Sequence, residues 1–554
     1  MMLLVGLLLV LPEFADPYVQ DEGFFIENIR FFTTNGYLKG AHPPAYTLYL
    51  LLISNGFDSM SPIILRASTF LFTCLTVVVV YVTCKLIAIE IHMVDDNSAI
   101  KISALAVFLF FMSPIAVQTG VLIDMENLFV FLIALIFFWF VAAYELYEVS
   151  PVTKYGITGL LVCAISWNKF GPLPAITGAF VGYFLLRHQI REALRFCAAT
   201  AGGFLLFLLS WGLLAITTET SFVTPFATDS RFINDVATLP LSIIVGRGVE
   251  VFLFELLWIS PFIVGLALLA VTSVIRQVNI PPYQSHISVI HSKAILLPFV
   301  LFSLLTVIEY TVLLKGDTYA FSKYVARTIP VLVVPAAFAV APYITGKYRK
   351  LQRYLILSSI AVSACMFIII AIVGDPFVGM KGDVIERYLM YIVVTSIGFV
   401  ATWLTLYYAD IDFSRRSLLT LTLVVTLVGA NFALVTTQAT SSHQTRYYYG
   451  TEGTTEALTY ADEQLDCNPG ARIGAPRGLS NHLAVVSGYE WQEQVFTTSS
   501  VEDLRRQNVS VVIVRTTADH FNTPERVSSL SEYTKAAQFN HYYVFRQKSY
   551  NTCQ

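Results

Sequence analysis

Apolar residues run through this chain in blocks of about 20, the length of helix that crosses about 30 Å of hydrocarbon. The blocks fall near 2–12, 62–90, 101–119, 126–146, 155–168, 171–187, 196–216, 248–272, 294–314, 326–344, 353–373, 388–408 and 416–436, about thirteen spans. The first is short for a crossing. A cleaved signal peptide is its alternative reading, although no basic stretch precedes it and no small-residue cleavage site follows. Past residue 440 the pattern changes. A helical stretch around Glu452–Leu465, a strand at Ala471–Ala475, a short helix at Val501–Gln507, an apolar strand at Val509–Val514 and an alternating one at His541–Arg546 read as a small α/β unit. The expected fold class is an α-helical polytopic membrane protein, residues 1–437, with a C-terminal α/β domain, residues 438–554.

Composition sharpens this division. Only 13% of the 554 residues are charged, against about 25% in an ordinary soluble domain. Of the last 115 residues 22 are charged, against 51 of the first 439. A soluble enzyme, a disordered scaffold and a small disulfide-stapled secreted protein are excluded. A net charge of −3 with no basic face argues against a nucleic-acid partner. No CxxC or HExxH pattern supports a protein-built zinc site. Cys467 and Cys553 of the tail could pair in an oxidising compartment or stay as thiols, and the sequon Asn508-Val509-Ser510 opens an expected strand.

Short loops rich in Lys and Arg set orientation. Arg187, Arg191 and Arg195, then Arg276 and Lys293, then Lys347, Arg349, Lys350 and Arg353, then Arg415 and Arg416 mark the cytoplasmic side. The first outer loop, residues 13–44, the turn at Asp124, the loops 217–246, 315–323 and 374–387, and the tail then fall on the extracytoplasmic side.

That outer side gathers the ionisable residues at membrane depth, which are costly there and so mark function. Asp21 and Glu22 precede Phe24, Phe25, Ile26, Ile29, Phe31 and Phe32, the apolar side of a short helix expected on the bilayer surface. His42-Pro43-Pro44 follows as a rigid elbow before Tyr46. A solvated helix start is the plainer reading of Asp21-Glu22, and a helix cap that of Asp124. Glu126 in the same turn is the weaker carboxylate. Arg66, Lys169, Lys323 and Arg327, with Tyr324, stand at outer span ends against the positive-inside bias. Singly each could snorkel to headgroups. As a set they suit an anion, since a phosphate wants several convergent charged donors. Carboxylates and cations on one membrane face suit glycosyl transfer from a polyprenyl phosphate: a carboxylate takes the acceptor's proton and cations stabilise the departing phosphate.

Asp21-Glu22, His42-Pro43-Pro44 with Tyr46, Arg66, the Asp124 turn, Lys169 and Lys323-Tyr324 recur in this order over about residues 10–340. The pattern resembles the GT-C glycosyltransferases of the protein O-mannosyltransferase and aminoarabinose-transferase branch. The resemblance implies a polyprenyl-phosphate-sugar donor used on the extracytoplasmic face with inversion. By position it implies Asp21 as the base or its close partner, Glu22 as its neighbour, Asp124 as a second carboxylate, His42 lining the cavity, and Arg66, Lys169 and Lys323 holding the phosphate, with Tyr324 and Arg327 beside them. Ala45-Tyr46 after Pro43-Pro44 departs from the Leu-Gly-Lys of protein mannosyltransferases, and the Trp-Trp-Asp-Tyr-Gly motif of oligosaccharyltransferases is absent. The acceptor is therefore open between a protein, a lipid and a glycan. No cofactor is implied, and a divalent ion between Asp21 and Asp124 stays open. A carrier or flippase of a lipid-linked sugar, a surface-polysaccharide polymerase and a receptor-like protein are the competing classes.

Overall fold

A computed structural model describes residues 14, 18, 20–36, 43–226, 260–278, 294–313, 322–344, 453–515 and 524–550, apart from a few single residues and pairs, with isolated positions between 393 and 429. The spans read at 2–12, 353–373, 388–408 and 416–436, the first half of 248–272, and Cys553 with any bond it makes to Cys467 lie outside the described residues or are touched only at isolated positions.

The outer segment forms helices α1 (Gln20–Asn35) and α2 (Ala45–Phe57). The membrane part continues with α3 (Pro62–Leu86), α4 (Asp96–Phe111), α5 (Pro114–Thr119) and α6 (Met125–Phe140). Then come α7 (Pro151–Asn168), α8 (Leu173–Leu186), α9 (Ile190–Thr217), α10 (Pro261–Val278), α11 (Leu297–Leu313) and α12 (Ile329–Ile344). Wide π-turns extend α3 to Ile91 and α6 to Leu146. Among the described residues, Pro62–Ile91, Met125–Leu146 and Ile190–Thr217 are long and apolar enough to cross a membrane. The protein is an integral membrane protein.

Local chemistry sets the helix starts. Asp95 accepts from the Ser98 amide at 3.0 Å to cap α4, and Ser150 caps α7 from the Thr153 amide at 3.2 Å with Pro151 at the first helical position. The run expected as one span at 101–119 is broken after Phe111, because Pro114 cannot continue the ladder and a new helix starts on it. Helix α2, not assigned from the pattern, packs Tyr46, Thr47, Leu50 and Ser54 inward.

Aromatic rings fill the bundle core, with Phe140 stacked on Phe180 at 4.4 Å and Phe137 at 4.9 Å from both Phe180 and Phe299. Helix α7 crosses α9 at two glycines: a Cβ on Gly203 would lie 2.2 Å from the Gly159 carbonyl oxygen. Small residues at such crossings let backbones approach where lipid gives no hydrophobic drive to associate. Along α9, Leu205, Leu209, Leu213 and Ile216 are exposed at helical spacing. That apolar stripe is a lipid-facing surface rather than a core.

The tail folds as α13 (Thr454–Cys467), β1 (Ile473–Ala475), α14 (Arg477–Val485), β2 (Val495–Thr497), α15 (Val501–Arg506), β3 (Val511–Arg515), α16 (Pro524–Ser528), β4 (Tyr533–Phe539) and β5 (Tyr542–Gln547). The sheet order is β2-β1-β3-β5-β4, parallel across β2, β1 and β3 and antiparallel across β3, β5 and β4. Strand β3 is buried along its whole length, which is why Val511–Val514 reads as an unbroken apolar run.

Helix α14 lies on α1. Its start approaches so closely that a Cβ on Gly23 would sit 2.8 Å from the Arg477 carbonyl oxygen. Phe25, Ile26 and Ile29 of α1 are buried, as the apolar pattern requires, but so are Glu22, Glu27 and Asn28. Glu22 turns to the bundle, where Arg66 and the Ile123 amide meet it, while Glu27, on the side expected to face water, lies against Arg477 of the tail.

Candidate active site

The site is built on the turn from Thr119 to Asn127, between α5 and α6. Asp124 caps α6, its Oδ1 accepting from the Glu126 amide at 3.0 Å. Asn127 Nδ2 donates back to the carbonyls of Thr119 at 2.5 Å and Leu122 at 2.9 Å. Thr73 Oγ1 donates to the Gly120 carbonyl at 2.9 Å, and Asn168 Nδ2 to that of Met125 at 2.9 Å. A buried irregular turn needs its backbone polar groups satisfied, and here Asn127 of the turn itself and two neighbouring segments, through Thr73 and Asn168, supply the donors.

A buried ion cluster flanks each side of this turn. Glu22 lies in the first turn of α1 and is 0% exposed; Arg66 lies in the first turns of α3 and is 1% exposed. Arg66 Nε meets Glu22 Oε1 at 2.9 Å and Nη2 meets Oε2 at 2.5 Å, a two-toothed fork. Arg66 Nη1 donates to the Phe14 carbonyl at 3.3 Å, and the Ile123 amide donates to Glu22 Oε1 at 3.1 Å. Three residues on, Glu126 receives Lys169 Nζ at 2.7 Å and Arg327 Nη2 at 3.2 Å. Lys169 ends α7 in extended backbone, while Arg327 comes from the 3₁₀ turn Ser322–Thr328 with its guanidinium 4.5 Å over the Phe129 ring. Elements far apart in sequence thus converge at one end of the bundle.

Glu22, Arg66, Asp124, Lys169 and Arg327 of the expected site are brought together here. Asp21 precedes Glu22 in the first turn of α1, and Lys323 and Tyr324 lie in the turn that carries Arg327. The side chains of those three, and all of His42, lie outside the described residues. Arg66, expected on the donor phosphate, lays its fork on Glu22. Glu126, the weaker carboxylate in the sequence reading, joins two cations. Asn127 and Asn168 escaped the sequence reading, although each directly follows or precedes a residue it had marked. Among the described residues no three His, Cys, Asp or Glu side chains converge as a metal site.

The tail meets α1 and Tyr18 beside the site. Arg477 Nε lies 2.8 Å from Glu27 Oε2, with its guanidinium 5.4 Å from the Phe24 ring centroid. Tyr18, whose hydroxyl donates to the Met60 carbonyl, meets the His482 ring edge-on at 5.8 Å. Burial first, then the Arg66 charge, lower the His482 pKa from 6.5 to about 4, with Glu22 pulling the other way. The docked tail therefore prefers neutral His482, and release from the Arg66 charge and from burial against the bundle would let its pKa return towards its ordinary 6.5. Docking is expected to be unaffected by pH above 6.5, to weaken as pH falls from 6.5 towards 4, and to lose nothing more below that. Limited proteolysis of the full-length protein across this range checks it. His482→Asn should flatten the profile, and a wild type resisting protease equally at pH 7 and pH 4 would contradict the assignment.

No protein-family model matches the chain, and no curated protein matches it. Solved structures do. The crystal structure of ArnT from Cupriavidus metallidurans bound to undecaprenyl phosphate aligns with a TM-score of 0.57 at 11% identity, over 98% of this chain and 97% of that one. Its apo state aligns with a TM-score of 0.52 at 12% identity, over 98% and 96%. The archaeal oligosaccharyltransferase AglB from Archaeoglobus fulgidus aligns at 0.44 and 12% identity, over 93% of this chain and 68% of that one. The two ArnT alignments run nearly end to end, through the membrane bundle and the tail alike. The chain therefore has the GT-C fold that the order of its motifs pointed to.

Proposed function

We propose that this chain is an integral-membrane glycosyltransferase. It moves a sugar from a polyprenyl-phosphate-linked donor to a protein, lipid or glycan acceptor on the extracytoplasmic face, with inversion at the anomeric carbon. The observation that carries the reading is the Glu126–Lys169–Arg327 cluster, two buried cations on one carboxylate beside the Asp124 turn. Cations at that depth are costly unless they answer negative charge, and a phosphate wants several convergent charged donors such as these. A fold shared with an ArnT structure bound to undecaprenyl phosphate supports the same choice of donor.

The chemistry follows from the residues. An acceptor hydroxyl or amine attacks the anomeric carbon while Asp21, the residue before the anchored Glu22, takes its proton. The bond from that carbon to the phosphate oxygen breaks, its electron pair stays on the phosphate, and Lys169, Arg327 and Lys323 stabilise the charge. Arg66 holds Glu22 in place, and the Asp124 turn fixes the distance between carboxylates and cations. Binding of undecaprenyl phosphate to the purified protein tests the reading. Lys169→Met should weaken it by about 10–100-fold, the worth of one charge-assisted hydrogen bond. Equal affinity of wild type and variant would remove Lys169 from the site. A wild type that binds the lipid yet turns over no polyprenyl-phosphate sugar, even with crude membranes supplying acceptors, would favour the carrier.

A further inference from the structure

Helix α1, which carries Asp21 and Glu22, is a short helix flanked in space by the bundle on one side and α14 on the other. On the bundle side Glu22 is gripped by Arg66 and the Ile123 amide. One turn further on, Glu27 pairs on the opposite side with the partly exposed Arg477, Nε to Oε2 at 2.8 Å. Between them Gly23 lets the start of α14 approach to a distance that a Cβ would forbid. Val485, at the other end of α14, joins the apolar cluster of Phe25, Ile26, Ile29, Tyr46 and Leu65. A helix held by ion pairs on both sides, with backbone contact between the two grips, has little freedom to rotate about its axis.

We propose that α14 of the C-terminal domain is a positioning element for the reaction: the Arg477–Glu27 pair, the Gly23 contact and the Tyr18–His482 ring contact fix the rotation of α1 and so the aim of the carboxylate at its start. Arg477 and Glu27 are positioning residues and touch no substrate. The inference rests on the assignment of α1 as the carrier of the base. It adds that α14, which starts 456 residues after Asp21, governs the chemical step rather than donor capture. Misplacing a reacting group by about 1 Å can cost about 10²-fold in rate, whereas the cations that hold the phosphate stand on α7 and the turn before α12 and do not move with α14.

The test is a charge exchange in the full-length protein. Arg477→Glu and Glu27→Arg each set like charges against one another, and the double variant restores an opposite pair. Each single variant should lower transfer at saturating donor by about 10²-fold, with little change in the donor concentration that gives half the maximal rate. The donor is whichever polyprenyl-phosphate sugar the wild type consumes from a panel. In parallel, amide hydrogen exchange over 20–35 should quicken and the His482 titration should rise from about 4 towards 6.5. The double variant should recover the rate, the slow exchange and the low titration together. Single variants with wild-type rates, or a loss confined to donor affinity, would overturn the proposal, as would a double variant that regains slow exchange and no activity. If the wild type consumes no donor, the assignment of function fails instead. The exchange and titration readings then judge the clasp by themselves: single variants that leave both unchanged overturn it.

Discussion

Replacing Arg66 with alanine is expected to destabilise the protein by about 3–5 kcal/mol, the usual cost of breaking a buried ion pair by removing one partner. The pair is fully enclosed, with Arg66 1% and Glu22 0% exposed. The variant leaves a carboxylate among Tyr18, Phe25, Leu65 and Ile123, which are themselves buried, without the guanidinium fork that offsets its desolvation. It also withdraws the donor to the Phe14 carbonyl. Thermal or denaturant unfolding in detergent reads the effect. The informative comparison is the double variant Glu22→Leu, Arg66→Met, which removes both charges and keeps most of the volume. Its loss should be much smaller than that of the single change, because exchanging a whole buried pair for apolar groups is often near neutral. Equal losses would mean that volume rather than charge holds this corner together. Transfer should be lost in both variants, which separates what the pair does for folding from what it does for the reaction.

Much of this architecture is legible in the chain because membrane helices advertise themselves locally. The block at 62–90 is α3 with its π-turn, that at 126–146 is α6 with its own, and that at 196–216 lies within α9. The failures are local too. The break at Pro114 splits a run that hydropathy alone reads as continuous, and α2 is missed because its apolar run of Leu50, Leu51, Leu52 and Ile53 is too short to register as a span. In the tail, β3 and β5 show themselves by a buried run and by alternation. Strand β4 does not: Lys535 and Gln538 break its pattern on an edge that needs no apolar face.

The site was legible as a set of residue types and not as a set of pairings. Asp21-Glu22, Arg66, the Asp124 turn, Lys169 and Arg327 each stood out by charge at the end of an apolar block. Nothing in a single chain says that Arg66 meets Glu22, 44 residues away, or that Arg327 meets Glu126, 201 residues away. Those choices are made by helix packing. The sequence leaves the Asp124 turn open between a cap and a catalytic carboxylate; its geometry is that of a cap, and the cap orients the segment on which both ion clusters close. The tail's contribution through Arg477 and His482 carries no local signal, because an Arg-Gly and a His inside an ordinary amphipathic helix look the same wherever that helix docks.

Asp21→Asn is the variant from which the largest loss of activity is expected. General-base catalysis by a positioned carboxylate is worth about 10²–10⁴-fold. Asparagine keeps the shape and hydrogen-bonding reach of aspartate while removing its capacity to take a proton. Glu22, next in sequence, retains Arg66 and the Ile123 amide in the variant, so the unfolding midpoint should stay put. The cations that would hold the donor phosphate stand on other elements, so undecaprenyl phosphate affinity should also be unchanged. The expected signature is therefore a fall in kcat of at least about 10²-fold with KM, lipid affinity and stability unmoved. Wild-type turnover would move the base elsewhere, and Asp124 can be examined with the same economy: asparagine caps a helix about as well as aspartate. Asp124→Asn would then keep the bond to the Glu126 amide while deleting the charge. A loss in that variant and not in Asp21→Asn would transfer the proton-accepting role from the first outer helix to the turn. The clasp formed by the tail would then have to act on rate through Glu22 and the Ile123 amide, the contact that joins the two.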